Sequence, residues 1–176
     1  PIKGTRPRGV TETEDARLVD ELMRATKDNA ELTMIVDLVR NDLGRVATIG
    51  SVHTERRRVQ SHANVHHASQ VVEAQVRNAA DPWATLGVLF PPGSVTGAPK
   101  LRACQRISEL EHSPRGVYCG AVGYVSGAQS VFNVAIRTTV WREEDCRFHV
   151  GGGIVVDSTP DAEWKETQDK ASAMYG

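Results

Sequence analysis

The sequence predicts an α+β fold, and two patterns in it favour that class. Helical spacing of apolar residues dominates the first part of the chain, whereas the last third alternates between apolar and polar residues and has short polar turns. Helices followed by antiparallel strands and a closing helix are typical of α+β architecture. We find no internal repeat or low-complexity tract, and 176 residues suffice for one well-formed core.

Composition and charge narrow the classes of function. The chain is 40% hydrophobic and 24% charged, as soluble globular proteins are, and its formal net charge of −1 provides no basic field for nucleic acid or acidic membranes. No apolar run approaches the roughly 18 residues that a membrane span requires. Three widely spaced cysteines without a CxxC motif fit a reducing cytoplasm and disfavour a thiolate metal site. We therefore expect a cytoplasmic protein without nucleic-acid or membrane partners.

Apolar spacing also places the elements of the first part of the chain. It predicts helices at 13–26, 28–41 and 65–77, and a strand or hairpin at 46–54. Proline at a helix start predicts two more helices, a short one from Pro82 and a longer one from Pro99 to Leu110. The side chains expected to face inward are Leu18, Leu22, Leu32, Ile35, Val36, Val39, Val65, Val72 and Val76.

Two acidic residues at the start of the second helix have two interpretations. Asp28 and Glu31 precede an apolar run with the spacing of a capping box, in which each side chain satisfies backbone N–H groups of the first turn. The same spacing places two carboxylates on one helical face, where they can bind a cation. Capping is the default interpretation, and the spacing itself does not separate the two.

An arginine interrupts the apolar pattern of the last third. Strands are predicted at 116–125, 131–141 and 146–156, and Arg137 falls within the second of them beside Ile136. A buried arginine is costly unless it is paired, and a carboxylate that accepts two hydrogen bonds is its natural partner. We therefore expect Arg137 to be buried in a strand and to bind a carboxylate.

The closing helix combines acidic residues with a glycine run. Thr159 followed by Pro160 predicts its start, and Glu163, Glu166 and Lys170 then share one face. The three glycines at 151–153 expose backbone N–H groups shortly before it. Carboxylates beside such a run suit a magnesium ion together with an anionic ligand. An ordinary solvated helix face is the alternative.

Six segments, in one order along nearly the whole chain, carry a family resemblance. They are PIKGTRPR at 1–8, IVDLVRNDLGRV at 35–46, GSVTGAPK at 93–100, RGVYCGAVGY at 115–124, AIRT at 135–138 and GGGIVVDS at 151–158. They resemble the chorismate-utilising enzymes, the family of the anthranilate, aminodeoxychorismate, isochorismate and salicylate synthases. The resemblance implies the later part of that family's chorismate-binding fold, with antiparallel sheets and helices packed outside them.

The resemblance also implies a site, residue by residue. Lys3 would be the catalytic nucleophile, and His66, or the adjoining His67, the active-site histidine. Mg²⁺ would be held by Glu31 and Glu166, with Asp28 and Glu163 beside them. The positions that would contact the substrate are Gly4, Thr5, Ser94, Tyr118, Arg137, Gly151, Gly153 and Lys170.

Lysine at the third place of the first motif bears on the reaction. The motif with lysine at this place is similar to that of the large subunit of aminodeoxychorismate synthase, whereas anthranilate synthases usually carry alanine there. The resemblance thus implies Mg²⁺-dependent amination of chorismate at C4 for folate synthesis, through a covalent intermediate on Lys3. Ammonia would come from a glutamine amidotransferase subunit or domain. The alternatives are anthranilate synthesis, by amination at C2, and a non-catalytic chorismate-binding role.

We expect residues 1–176 to be part of a longer catalytic domain, cut at the N-terminus and slightly at the C-terminus. The chain opens inside a turn-like motif and stops at Gly176, within or just past its last helix. In the family that it resembles, a general-acid glutamate and several core strands lie upstream of the lysine motif.

Overall fold

The computed structural model describes residues 1–77, 81–127 and 129–175, without the side chains of 173 and 175. Gly176, where the sequence suggested a cut end, lies outside the described residues. The chain forms two compact units, Pro1–Leu89 and the residues from Phe90 onward. The sheets in the described ranges are antiparallel, so the predicted α+β class is confirmed. None of the described helices is long and apolar enough to cross a membrane.

The first unit is a three-stranded sheet with two helices against it. The sheet consists of β1 (Ile2–Pro7), β3 (Arg58–Ser61) and β4 (Val65–Ser69), with β4 in the centre. Helices α1 (Glu12–Arg24) and α2 (Thr26–Gly44) contact β1, and α1 also contacts β3 and β4. The described residues of this unit also form a two-stranded sheet, β2 (His53–Thr54) with β5 (Val72–Glu73), and the helix α3 (Pro82–Leu89).

The predicted apolar faces of α1 and α2 form the core of this unit. Leu22 and Leu32 are fully buried, and Ala68 of the central strand is buried with them. Further buried positions on the two helices are Leu18, Ile35 and Val36. The hydroxyl of Thr11 accepts a hydrogen bond from the Glu14 N–H and caps α1. The two helices therefore form where their apolar spacing predicts them.

The helix predicted at 65–77 is wrong, because this segment contains β4 and β5. Valines at 65, 72 and 76 match helical spacing, yet Val65 begins a strand that pairs with both β1 and β3. β-branched side chains favour strands, and two paired neighbours satisfy every backbone group of a central strand. The strand predicted at 46–54 is also shorter than expected, since β2 covers its last two residues and Ala47 forms an isolated bridge with Val76.

In its described residues, the second unit contains two antiparallel strand pairs and three helices. Its helices are α4 (Gly93–Thr96), α5 (Lys100–Leu110) and α6 (Pro160–Tyr175). Its strands pair as β6 (Ala121–Ser126) with β7 (Gln129–Val134), and β8 (Thr139–Arg142) with β9 (Asp145–Phe148). The helices predicted from Pro82, Pro99 and Pro160 are therefore confirmed.

All three strands predicted in this unit are shorter than the alternation suggested. The strand expected at 116–125 begins only at Ala121, because residues 116–119 form a turn. The strand expected at 131–141 is interrupted at Arg137, which is exposed at a bend with φ +48°. The strand expected at 146–156 ends at Phe148, and the glycine run follows without strand structure. A residue in the left-handed region cannot continue a strand, so the apolar alternation spans two hairpins rather than one long strand.

Candidate active site

Two basic side chains of β1 pair with two acidic side chains of α2 in the first unit. Lys3 Nζ lies 3.1 Å from Glu31 Oε2, and Arg6 Nη1 lies 3.3 Å from Asp28 Oδ2. Arg6 also donates to Glu21 of α1 through its Nε at 2.7 Å. Glu31 and the lysine are partly buried, with 26% and 36% of their side chains exposed. The lysine and the first acidic pair that sequence reasoning selected therefore meet at one place.

Asp28 and Glu31 do not cap α2, so the default interpretation of their spacing is wrong. The residue before the helix is Ala25, and no side chain caps it. Asp28 lies in the first turn, where the partial positive charge of the helix N-terminus favours a carboxylate. Both acidic side chains point at the strand rather than back at the helix backbone.

Gly4 allows this close approach of strand and helices. Its φ is +89°, and a Cβ at this position would lie 2.8 Å from Leu22 Cδ1 and 3.0 Å from Asp28 Cγ. The β1–β4 register shifts between Ile2 and Thr5, around this glycine. The glycine of the motif therefore has a packing reason, in addition to the substrate contact that the resemblance implies.

The two candidate histidines differ sharply in their surroundings. His66 is fully buried; its Nδ1 lies 2.8 Å from Ser61 Oγ and its Nε2 lies 2.9 Å from Asp15 Oδ1. Adjacent residues of a strand point to opposite faces, so His67 faces away from this network. It is paired with Thr5 across the sheet and its ring contacts that of His62 at 5.3 Å.

Asp15 anchors the His66 network. It accepts hydrogen bonds from Arg8 through both carboxylate oxygens, each at 2.9 Å, and from the Gly9 N–H at 2.7 Å. The Arg8 guanidinium, followed by the Gly9 N–H, holds the pKa of this carboxyl well below its usual range. Because both ring nitrogens of His66 are engaged, this histidine supports the packing of β4 on α1.

In the second unit, the predicted face of α6 meets the glycine run. Lys170 Nζ donates to the Gly151 carbonyl at 3.1 Å and to Glu166 Oε1 at 2.5 Å. Glu163 Oε1 accepts a 2.5 Å hydrogen bond from Ser158 Oγ. Glu163, Glu166 and Lys170 thus share one face, as their spacing predicts.

Glu163 supplies the clearest sign of a cation site. Its Oε2 is buried and has no hydrogen-bond partner among the described residues. A Cβ at Gly152 would lie 2.8 Å from this oxygen, so a side chain at this position would displace the Glu163 carboxylate. An ionised oxygen buried without a donor is costly unless a cation balances it. In the described ranges no three His, Cys, Asp or Glu side chains gather as one cluster, and each unit contributes two of the four candidate carboxylates.

Tyr118 also lies beside the glycine run. A Cβ at Gly151 would lie 3.1 Å from its hydroxyl oxygen, and its ring stacks on His149 with centroids 5.5 Å apart. Burial raises the pKa of Tyr118 to about 12, so the phenol remains a hydrogen-bond donor at neutral pH. Ser94 is in the first turn of α4.

The structure corrects the expectation for Arg137. This residue is exposed at a bend rather than buried within a strand. The cost of burial therefore gives no reason for a carboxylate partner, and a binding role for Arg137 rests on the resemblance alone.

Sequence reasoning assigned no individual role to four further residues of these clusters. They are Arg6, which links α1 and α2; Gly152, which admits Glu163; and Arg115 with Glu111, which form an ion pair beside Tyr118. Arg6 and Arg115 lie in motifs that already carry the resemblance, and Glu111 stands four residues before Arg115. The contacts of Arg6 and Gly152 come from other elements, which sequence spacing does not reveal.

The chain belongs to the chorismate binding enzyme family, whose family model matches residues 1–176. It is 47% identical to anthranilate synthase component 1 of Aquifex aeolicus and 48% identical to aminodeoxychorismate synthase of Streptomyces griseus. Each comparison covers 99% of this chain, but 36% of the first relative and 24% of the second. The chain thus spans about a third or less of the length of these relatives.

Two solved structures share the fold. The menaquinone-specific isochorismate synthase of Escherichia coli matches with a TM-score of 0.87 and 28% identity, over 99% of this chain and 40% of the other. Anthranilate synthase component I of Streptococcus pneumoniae matches with a TM-score of 0.85 and 36% identity, over 98% of this chain and 41% of the other. The predicted chorismate-binding fold is therefore confirmed.

Proposed function

We propose that this chain carries the amination site of an aminodeoxychorismate synthase, which converts chorismate to 4-amino-4-deoxychorismate for folate synthesis. The observation that carries the proposal is Lys3, held in β1 at 3.1 Å from a candidate metal-binding carboxylate, Glu31. Overall identity does not separate the two amination reactions, since relatives of both kinds are almost equally similar. The lysine favours C4, because anthranilate synthases usually carry alanine at this place.

In the proposed reaction, Lys3 acts as a nucleophile in two displacements. The Lys3 ammonium first leaves Glu31 and loses a proton to water. The amine nitrogen then forms a bond to C2 of chorismate, the ring double bonds shift, and the C4–oxygen bond breaks to release water. Ammonia then forms a bond to C4, the double bonds shift back, and the C2–nitrogen bond to Lys3 breaks. The proton for the departing hydroxyl comes, by the resemblance, from a glutamate outside this chain.

Four carboxylates are the proposed ligands of Mg²⁺. They are Glu31, Asp28, Glu163 and Glu166, and the buried, unpartnered Oε2 of Glu163 among the described residues is the feature that best fits a cation. Magnesium sites commonly use few carboxylates and are completed by substrate and water. When bound, the ion would supply positive charge to the ring carboxylate and to the departing oxygen.

The remaining assignments concern the substrate. We assign the enolpyruvyl carboxylate to the backbone N–H groups of the glycine run and to Arg137, and other substrate contacts to Gly4, Thr5, Ser94, Tyr118 and Lys170. For the active-site histidine we favour His67 over His66, because His67 lies across from Thr5 whereas both nitrogens of His66 serve Asp15 and Ser61. Ammonia is proposed to come from a glutamine amidotransferase, as a subunit or a domain.

The identity of the product tests the proposal. Full-length protein is incubated with chorismate, Mg²⁺ and ammonia, and the products are separated by chromatography and mass spectrometry. We expect 4-amino-4-deoxychorismate, and without ammonia we expect added mass on the peptide that contains Lys3. Lys3→Ala should abolish the adduct and strongly reduce C4 amination.

Two other outcomes identify the alternatives. Anthranilate as the product of the parent protein would favour C2 amination. Chorismate binding without turnover would favour a non-catalytic role. C4 amination by Lys3→Ala at the parental rate would refute the covalent route but leave the family assignment intact.

A further inference from the structure

Arg115 forms an ion pair with Glu111 that fixes the plane of its guanidinium. The Nε donates to Glu111 Oε2 at 2.8 Å and the Nη2 donates to Oε1 at 2.6 Å. Each group shifts the other, so the pKa of Arg115 is raised and that of Glu111 is lowered. Two parallel hydrogen bonds orient a guanidinium in a way that a single contact does not.

The outer edge of the same guanidinium is also engaged. Its Nη1 points at the Val95 carbonyl of α4 at 3.4 Å, and 24% of the side chain is exposed. The donors of this guanidinium are directed at Glu111 and Val95, while its central carbon lies over the Tyr118 ring. The Arg115 Cζ lies 5.6 Å from the centre of that ring, within the range of a cation–π contact.

The backbone joins the same two residues by a turn. The Tyr118 N–H donates to the Arg115 carbonyl at 3.0 Å, and Gly116 supplies the left-handed conformation with φ +58°. The next residue, Cys119, is buried, and its N–H donates to the Ala135 carbonyl at 2.9 Å. The turn therefore fixes the start of the Tyr118 side chain, and contacts with His149, Arg115 and the Cys119 side chain fix its direction.

We propose that Arg115, oriented by Glu111, is a positioning residue that directs the Tyr118 hydroxyl toward the glycine run. This inference rests on the proposed function, in which Tyr118 and Gly151 contact chorismate. Removal of the guanidinium deletes one of the contacts that hold the side chain, and leaves the ring stacking on His149 and the hydrogen bond with the Cys119 side chain in place. The hydroxyl then samples more orientations, and chorismate binding weakens while the chemical groups of the site remain.

The test compares Arg115→Met with Arg106→Met in the full-length protein. Arg106 pairs with Glu109 at 2.6 Å within α5, so its substitution removes a similar ion pair elsewhere. Chorismate affinity is measured by calorimetry, and KM and kcat by product formation. We expect Arg115→Met to weaken binding and raise KM by roughly three- to thirtyfold, with a much smaller change in kcat. Arg106→Met should change neither by more than about twofold.

Two further variants separate positioning from stability. Arg115→Lys keeps the charge but not the paired hydrogen bonds, so it should restore part of the affinity. In a Tyr118→Leu background, Arg115→Met should have no further effect on binding, because its action passes through the ring. The melting temperature of each variant shows whether any loss of affinity accompanies unfolding.

The outcomes that overturn the inference differ from those that overturn the proposed function. Unchanged chorismate affinity in Arg115→Met, or an equal loss in the Tyr118→Leu background, would mean that Arg115 is structural. Parental affinity in Tyr118→Leu would remove Tyr118 from the substrate site and the inference with it. A parent protein that binds no chorismate would refute the proposed function itself.

Discussion

Replacement of Lys3 by methionine should strengthen Mg²⁺ binding before any substrate is present. The ammonium of Lys3 pairs with Glu31 at 3.1 Å, so a cation that uses this carboxylate must displace it. Methionine keeps most of the apolar stem and removes the charge. Glu31 is then available to the ion without the loss of an existing ion pair.

The size of the effect follows from the exposure of the pair. Because 36% of the Lys3 side chain and 26% of the Glu31 side chain are exposed, solvent screens most of their attraction. Partly exposed pairs contribute about 0.5 to 1 kcal/mol. Loss of that competition corresponds to about a two- to fivefold gain in Mg²⁺ affinity, at about 1.4 kcal/mol for each factor of ten.

Isothermal titration calorimetry of Mg²⁺ into full-length protein without chorismate measures this gain. Lys27→Met is the matched control. Lys27 is an exposed residue in the first turn of α2, the helix that carries Glu31, and it has the same charge as Lys3. Lys3→Arg preserves an ion pair and should bind Mg²⁺ as the parent does. An unchanged or lower affinity in Lys3→Met, or an equal gain in Lys27→Met, would refute the competition between Lys3 and the ion.

Two further predictions concern the other clusters. Gly152→Ala should lower Mg²⁺ affinity by roughly tenfold or more, because its Cβ would lie 2.8 Å from Glu163 Oε2 and displace that carboxylate. Gly153→Ala is the control, since a Cβ there meets no described atom within 4 Å, and equal calorimetric affinities for the two variants would contradict the ligand role of Glu163. The pKa of the Asp15 carboxyl is lower in the folded protein than its value of about 3.9 in the unfolded chain. The charged carboxylate therefore stabilises the fold fully above about pH 3.9, and this stabilisation is lost as the pH falls from about 3.9 toward the lower folded pKa. Asp15→Asn should therefore lose less melting temperature than the parent between pH 6 and pH 3, and a parallel loss would show that the carboxylate charge is unimportant.

Periodicity and helix-start signals were sufficient for most helices of this protein. These signals are local. The apolar faces of α1 and α2 repeat every three or four residues, and a proline stands at or just before the first residue of α3, α5 and α6. Such local signals are readable because the residues that cooperate lie three or four positions apart. The common face of Glu163, Glu166 and Lys170 was predictable for the same reason.

Contacts between residues that are distant in the sequence determined the features that local signals did not predict. Val65–Ser69 is a strand because β1 and β3 lie on either side of it, and Asp28 and Glu31 are ion-paired rather than capping because β1 passes beside α2. Arg137 is exposed because the chain bends at its position. In each case local spacing was compatible with two structures, and contacts formed by tertiary packing selected between them.

Individual side chains of the candidate site also differ in whether the sequence or the tertiary structure determines their role. The sequence by itself determined the family and drew attention to Lys3, because the motif is a contiguous run. The sequence did not distinguish His66 from His67, because the two are adjacent and the resemblance can be shifted by one residue. The sheet separates them, because successive side chains of a strand point to opposite faces: one histidine lies in the buried Asp15 network, and the other lies across from Thr5.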